Sequence, residues 1–289
     1  MPATVLRIAT RSSAQARTQA EFVGDSIVRS NTGVTTELVF VDTVGDQRQD
    51  VPLHTIGGQG VFVKEVQRAV LEGRADIAVH SAKDLPSTPA DGLTIGAFTA
   101  RRDPRDALIG SSLAGLAFGA TVASGSVRRR AQLRALRPDL HFVELRGNIQ
   151  TRLSKVPANG AIVMAVAALQ ILGLDGRIGE VMDTDAMVPA VGQGCVAVEC
   201  RAEDMMTMAL LAAIDDRATR RAVEAERAFL VELGTGCSLP IGAHVAGGHL
   251  TAFLANDIGR VLQSSVRLGH DWPATAARTA CEMQAEIER

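Results

Sequence analysis

At 289 residues the chain is longer than one ordinary hydrophobic core accommodates, so two or three domains are expected. A hydrophobic content of 46% with little low-complexity sequence excludes a disordered protein. Thirty basic residues stand against thirty-two acidic ones, and there is one Trp and no Tyr, so the charge surplus and stacking platforms of a general nucleic-acid binder are both missing.

The first third alternates strand and helix. VLRIAT reads as a strand, and its Arg7, with Arg11 just beyond it, interrupts any N-terminal apolar core, so no signal peptide is expected. Ser12 and Ser13 offer a helix N-cap, after which Ala16, Ala20, Val23 and Ile27 recur at helical spacing. ELVFV is a second strand. Gly45 to Gly60, GDQRQDVPLHTIGGQG, has no sustained period and reads as a long mobile loop, a candidate lid. VFVKEVQRAVLEG is a helix ending at Gly73, ADIAVH a buried strand and LTIGAF another.

RRDPRDA breaks the alternation, which then restarts. TVASGS is a strand entering a turn, VRRRAQLRALRP a helix stopped by Pro138, and HFVEL a strand. RGNIQTRLSKV is a loop into a helix. AIVMAV is a buried strand, and the apolar run it begins is too short to span a bilayer. Two βα halves of similar size imply two α/β domains with mostly parallel sheets, which bind ligands beyond the carboxyl ends of their strands. After the glycine-rich turn VPAVGQG come a short strand, two helices, a hairpin around Gly247 and Gly248, the strand RVLQSSVRL and a closing helix, a small α+β domain.

Four cysteines, Cys195, Cys200, Cys237 and Cys281, make no CxxC pair and no metal-ligand spacing, which fits reduced thiols in the cytoplasm. Cys237 is set apart by its loop, ELGTGCSLPIG, where packing gives a thiol no obvious role; it is either incidental or an attachment point. Only three of the thirty basic residues are lysines, and the arginines gather with hydroxyls just after predicted strands. Arg11 and Ser13 follow the first strand, Ser81 and Lys83 follow ADIAVH, and Ser124, Ser126, Arg128 and Arg129 follow TV. Arg146 follows HFVEL, with Arg152 six residues on. Strand ends and helix N-termini present backbone donors, and the guanidinium fork suits carboxylate or phosphate, so the expected ligand is polyanionic. Asp84, in HSAKDLPS, is the exception. Either it is a cap or an ion-pair neighbour of Lys83, or the ligand becomes cationic as it reacts and a fixed carboxylate stabilises it.

RIATRSS, GDQ, GVFVKE, ADIAVHSAKDLPS, DPRDA, SVRRRAQL, LRGNIQTRLSK, PAVGQG, VECR, AERAFL and GCSLPIG, in this order, resemble the porphobilinogen deaminase (hydroxymethylbilane synthase) family from about residue 5 to residue 245. The resemblance implies two α/β domains like the halves of type II periplasmic binding proteins, plus a small C-terminal α+β domain. The first domain would comprise residues 1–99 and 194–217, the second 100–193 and the third 218–289. It implies a dipyrromethane cofactor joined by a thioether to Cys237. Four porphobilinogen units are added to that primer with loss of ammonia, and the product is hydrolysed off as hydroxymethylbilane. Ser13, Ser81, Lys83, Asp84, Ser124, Ser126, Arg128, Arg129 and Arg146 are then expected at the cofactor, and Arg11, Gln19, Arg146 and Arg152 at the substrate. Asp84, with Arg11 and Lys83, would be catalytic. A monomer that binds neither nucleic acid nor membrane is expected. The sequence departs from the family pattern at Thr55, Gln59 and Ile171, where basic residues are common, and in reading GTG before the thiol where EGG is usual. A receptor for a polycarboxylate, built from the same two lobes, is the rival reading; it leaves Cys237 and the third domain without a task. A regulator's sensor domain is a weaker rival, since no helix-turn-helix segment is evident.

Overall fold

The computed structural model describes residues 4–43, 60, 63–234 and 240–289. The described residues up to Arg102, together with Cys195–Arg220, form one compact unit; Asp103–Gly194 and the described residues from Arg221 onward form another.

In the first unit, β1 (Thr4–Thr10) runs into α1 (Ala14–Ser30), whose N-cap is Ser13; its Oγ accepts the Ala16 N–H at 3.4 Å. Ala20, Val23 and Ile27 form the buried stripe of α1, as their spacing predicts. β2 (Val34–Phe40), α2 (Lys64–Leu71), β3 (Ile77–Ser81) and β4 (Leu93–Phe98) follow. The second unit holds β5 (Asp106–Ile109), β6 (Thr121–Ala123), α3 (Val127–Leu136), β7 (His141–Val143), α4 (Ile149–Leu153), β8 (Ala161–Ala165), α5 (Val166–Gln170) and β9 (Glu180–Val181). The chain then supplies β10 (Val196–Arg201) and α6 (Met205–Ala212) to the first unit.

The two sheets share one plan. The first has the order β2-β1-β3-β10-β4, with β2, β1 and β3 parallel and β10 antiparallel to both its neighbours. The second has the order β7-β6-β8-β5-β9, again with three parallel strands and then an antiparallel one. Both sheets are therefore mixed rather than mostly parallel. The antiparallel strand in each comes from outside the βα alternation: β5 precedes it and β10 follows it, so neither inherits the direction that a crossover helix imposes. RDPRDA, read as a break, hides the start of β5 at Asp106. The first sheet is covered on one face by Val23, Ile27 and Leu211 and on the other by Val66, Ala69 and Val70.

α7 (Arg217–Glu232) precedes the antiparallel sheet β11 (Ile241–Ala246), β12 (His249–Ala255) and β13 (Val261–Arg267), and α8 (Trp272–Ile287) closes the chain. Phe229, Leu250, Leu254, Ala280 and Met283 join this sheet to α7 and α8 in one core. Glu226, fully buried, accepts the Gly192 and Val245 N–H groups at 2.8 Å each, and so ties α7 to the PAVGQG turn and to β11. Among the described residues no helix is long and apolar enough to cross a membrane.

Candidate active site

A cavity opens at the C-terminal end of β1 and β3 in the first unit, lined by Arg11, Ser13, Gln15, Gln19, Ser81 and Asp84 among others. The local sequence explains this convergence. β1 ends at Thr10, so Arg11 leaves the sheet where α1 begins, and the capping role of Ser13 turns the helix N-terminus toward the cavity. Gln15 and Gln19 lie one turn apart on α1. Gln19 Nε2 donates to Ser81 Oγ at 3.0 Å, and Gln15 Nε2 reaches the same oxygen at 3.5 Å. β3 stops at Ser81 in a single 3-10 turn, Ala82–Asp84, which is tethered by donation from the Ala82 N–H to the Cys195 carbonyl at 2.9 Å and by the buried side chain of Leu85. That turn sets Asp84 on the cavity wall; Lys83, half-buried beside it, is not among the lining residues. Arg11, Ser13, Gln19, Ser81 and Asp84 are thus brought together.

The second unit collects the other cations in two places. Ser126 is the N-cap of α3, accepting the Arg129 N–H at 3.4 Å, and the buried Ser124 Oγ accepts the Ser126 N–H at 3.2 Å. Gly125 between them is required by close approach, because a Cβ there would stand 2.8 Å from the Leu145 carbonyl oxygen. The serine turn therefore packs against the segment leading to Arg146. Gly147 follows with φ +113°, a conformation glycine supplies, and Arg152 Nε folds back to donate to its carbonyl at 2.8 Å. Ser124, Ser126, Arg146 and Arg152 are neighbours around these turns.

Arg128 and Arg129 lie deeper, 5% and 8% exposed, against Asp106, which is completely buried. Arg128 Nη2 donates to Asp106 Oδ2 at 2.7 Å, and Arg129 Nη2 donates to Oδ1 at 2.7 Å. Arg129 Nε donates to Oδ1 at 3.1 Å and Gln193 Nε2 adds a fourth contact, donating to Oδ1 at 2.9 Å, while Arg128 Nη1 and Arg129 Nη1 donate to the Val188 and Val163 carbonyls. Burial alone would push the Asp106 carboxyl up, but Arg128 and Arg129 hold it well below the usual carboxylate range. Burial also lowers Arg128 from its ordinary value, against the pull of Asp106. Both guanidiniums are therefore fixed by the protein's own acceptors. Asp106, Gln193 and Gln15 were not singled out from the sequence. Asp106 sat within a motif read as a break, and Gln15 carries a signal only in its spacing of four from Gln19.

Cys237, Thr55, Gln59 and the Gly45–Gly60 stretch apart from Gly60 lie outside the described residues. Ile171 forms the C-cap of α5. Of the other thiols, Cys195 and Cys200 are core residues, and burial pushes Cys200 up to about 11. Cys281 is exposed, but its Sγ donates to Glu232 Oε1 at 2.9 Å, which raises its pKa.

Two α/β sheets of one plan, with arginines and hydroxyls at their strand ends and a carboxylate on one cavity wall, define an α/β protein with a polar, cation-bearing cavity. Residues 6–209 match the family model described as porphobilinogen deaminase, dipyromethane cofactor binding domain, and residues 220–257 match the C-terminal domain of porphobilinogen deaminase. The chain is 48% identical over 252 residues to the porphobilinogen deaminase of Roseiflexus sp., covering 85% of this chain and 83% of that one. It is 43% identical over 266 residues to the porphobilinogen deaminase of Syntrophotalea carbinolica, covering 90% and 84%. Among solved structures, a methionine-binding protein, MetQ, is similar at 13% identity with a TM-score of 0.46, over 75% of this chain and 92% of that one. The chain belongs to the porphobilinogen deaminase family, whose activity is that of a transferase, hydroxymethylbilane synthase.

Proposed function

We propose that this chain joins four porphobilinogen units on a covalent dipyrromethane primer and releases hydroxymethylbilane, with Asp84 as its central catalytic residue. The observation that carries this reading is the convergence of Asp84 with Arg11, Ser13, Gln19 and Ser81 on one cavity. Each porphobilinogen brings an acetate and a propionate, which Arg11 meets on the cavity wall together with the hydroxyls of Ser13 and Ser81. Positive charge develops on the substrate as ammonia leaves and again when the next pyrrole attacks. A carboxylate already fixed on the wall stabilises that charge without reorganising, and Asp84 is that carboxylate. Lys83, beside Asp84 on the same turn, and Arg11 assist in catalysis, while Gln19 orients Ser81 and contacts the substrate.

The dipyrromethane, when bound, supplies the pyrrole end onto which units are joined. Ser13, Ser81, Lys83, Asp84, Ser124, Ser126, Arg128, Arg129 and Arg146 are the residues that would hold it. The donor set fits that group: two buried guanidiniums share the single carboxylate of Asp106, and a further carboxylate offsets the surplus positive charge that burial makes unfavourable. Arg146 and Arg152 meet substrate carboxylates as the chain lengthens. Cys237 carries the thioether, a reading supported by the raised pKa of the Cys200 and Cys281 thiols, which favours their protonated form. The reading takes the chain as three domains, with β11–β13 and their helices as the third. It includes a monomer in the cytoplasm that binds neither nucleic acid nor membrane.

The test is intact mass together with turnover. The purified chain should exceed its sequence mass by one dipyrromethane, stain with an aldehyde reagent for pyrroles, and release ammonia from porphobilinogen. A chain of bare sequence mass that binds porphobilinogen without consuming it would instead be a polycarboxylate receptor.

A further inference from the structure

The first turn of α3 carries three consecutive arginines, and only two of them are spent on Asp106. Arg130, the third, lies across the carboxyl ends of the parallel neighbours β6 and β7, the end of such sheets where ligands bind. Its Nε donates at 2.5 Å to the carbonyl of Ser124, the residue that follows β6. Its Nη2 donates to the carboxylate of Glu144, the residue that follows β7, and to the Val143 carbonyl at 3.4 Å. The Glu144 side chain in turn lies against the serine turn, since a Cβ on Gly125 would stand 2.8 Å from Glu144 Oε1. The two side chains are 26% and 39% exposed. An ion pair so open to water adds little stability, so stability does not account for a contact made three ways. What a planar fork with fixed directions adds is a tie between one turn and the other. Arg130 also holds as a pair a carboxylate that would otherwise repel anions two residues before Arg146.

The two turns so joined serve different ends of the growing chain in the proposed function. Ser124 and Ser126 belong to the set that would hold the primer, while Arg146 and Arg152, the latter bonded to the Gly147 carbonyl, meet substrate carboxylates. We infer that Arg130 and Glu144 are a positioning pair for elongation: together they hold the Ser124–Ser126 turn in register with the Arg146 turn, and so fix the spacing between the anchors of the primer and those of the substrate. This rests on the reading of those serines and arginines as binding residues. Neither Arg130 nor Glu144 touches substrate or cofactor in this account. The Ser124 N–H donation to the Val143 carbonyl at 2.9 Å survives loss of the pair, so the turns would loosen without separating. A misplacement of about 1 Å costs on the order of 10²-fold in rate, and a partial loosening should cost less.

The experiment is a double-mutant cycle read by intact-mass analysis of covalent intermediates alongside turnover. Arg130→Met and Glu144→Gln should each keep the added mass of the cofactor and melt within about 4 °C of wild type. Each should lower kcat roughly 3- to 30-fold, leave KM within about threefold, and shift the distribution of partly elongated intermediates. Arg130→Lys keeps a charge for Glu144 but loses the fork, and should recover part of the loss. Because the pair acts as a unit, the double variant should be no more than about twofold slower than the slower single variant. A purely structural role predicts otherwise: a lower melting temperature, with wild-type intermediates and a wild-type rate per loaded molecule. Should Arg130→Met fail to fold, Glu144→Gln carries the same expectations. Wild-type intermediates and turnover in loaded Glu144→Gln, or losses that multiply in the double variant, overturn the inference. Wild-type behaviour in both Ser126→Ala and Arg146→Leu overturns instead the reading of the two turns beneath it, and the two failures are thereby distinguished.

Discussion

Asp106→Asn isolates the charge that organises the second unit. The substitution keeps the side chain's shape and one acceptor oxygen, but it replaces the other oxygen with an amide that faces a guanidinium. In the native structure Oδ2 accepts from Arg128 at 2.7 Å, and Oδ1 accepts from Arg129 at 2.7 and 3.1 Å and from Gln193 at 2.9 Å. All of this occurs at zero exposure, so water cannot replace the lost carboxylate. Breaking a buried pair by removing one partner costs about 3–5 kcal/mol, mostly through the charge left behind, and here two cations are left. Urea denaturation near pH 7 should therefore show a loss of at least about 3 kcal/mol. The pH dependence has a definite sign. The folded carboxyl lies below its unfolded value of about 3.9, so its contribution is fully present above about pH 4 and is lost as pH falls toward the folded value. The gap between wild type and Asp106→Asn should be constant from about pH 8 to pH 5 and narrow below about pH 4. A gap under about 1 kcal/mol at neutral pH, or one that widens on acidification, refutes the argument that this carboxylate compensates both arginines.

Asp84→Asn should fold and keep its cofactor when a preassembled primer is supplied, yet lose on the order of 10²–10³-fold in kcat, with Asp84→Glu retaining more because it keeps the charge and misplaces it. A steady-state assay that finds Asp84→Asn at the wild-type rate makes the residue structural. Cys237→Ala should fold without the added mass, whereas Cys195→Ala, Cys200→Ala and Cys281→Ala should each keep it; peptide mapping that finds the adduct on any of these three sinks the assignment. Arg146→Leu and Arg152→Leu should stall elongation at different stages, seen as different distributions of covalent intermediates by mass spectrometry, and unchanged distributions at full turnover would remove both from the substrate path.

The regular elements were legible because their signals are local. Ala20, Val23 and Ile27 announce one face of α1, and Ser13 announces a cap that the structure forms. The cavity's principal residues were legible for a related reason: each directly follows a strand, so a strand boundary located Arg11, Ser13, Ser81 and Asp84 at once. What could not be read joins residues far apart in the chain. Asp106 meets Arg128 and Arg129 across 22 and 23 positions, and Gln67 meets Glu199 across 132. Nothing in RDPRDA distinguishes Asp106 from Asp103, which closes a local turn with Arg105; only the strand pairing of β5 with β8 carries Asp106 under α3. The direction of β10 was hidden likewise, since VAVEC reads the same whichever way the strand runs.

The predominance of arginine acquires a physical reason at the Asp106 cluster. A lysine there would offer a single point charge and could not contact the carboxylate and a carbonyl in fixed directions. Arg128 reaches Asp106 with one nitrogen and the Val188 carbonyl with another, and Arg129 does the same with Asp106 and the Val163 carbonyl. Each guanidinium is thus ordered before any ligand arrives, so an anion that binds it gains the charge without the entropic cost of freezing a long side chain. Anchoring by Asp106 also leaves one positive charge shared between the two forks, which in the proposed reading is what meets a carboxylate of the growing chain. A chain that must hold a growing series of carboxylates and then release the product needs that balance, and a cluster of unopposed cations would not provide it.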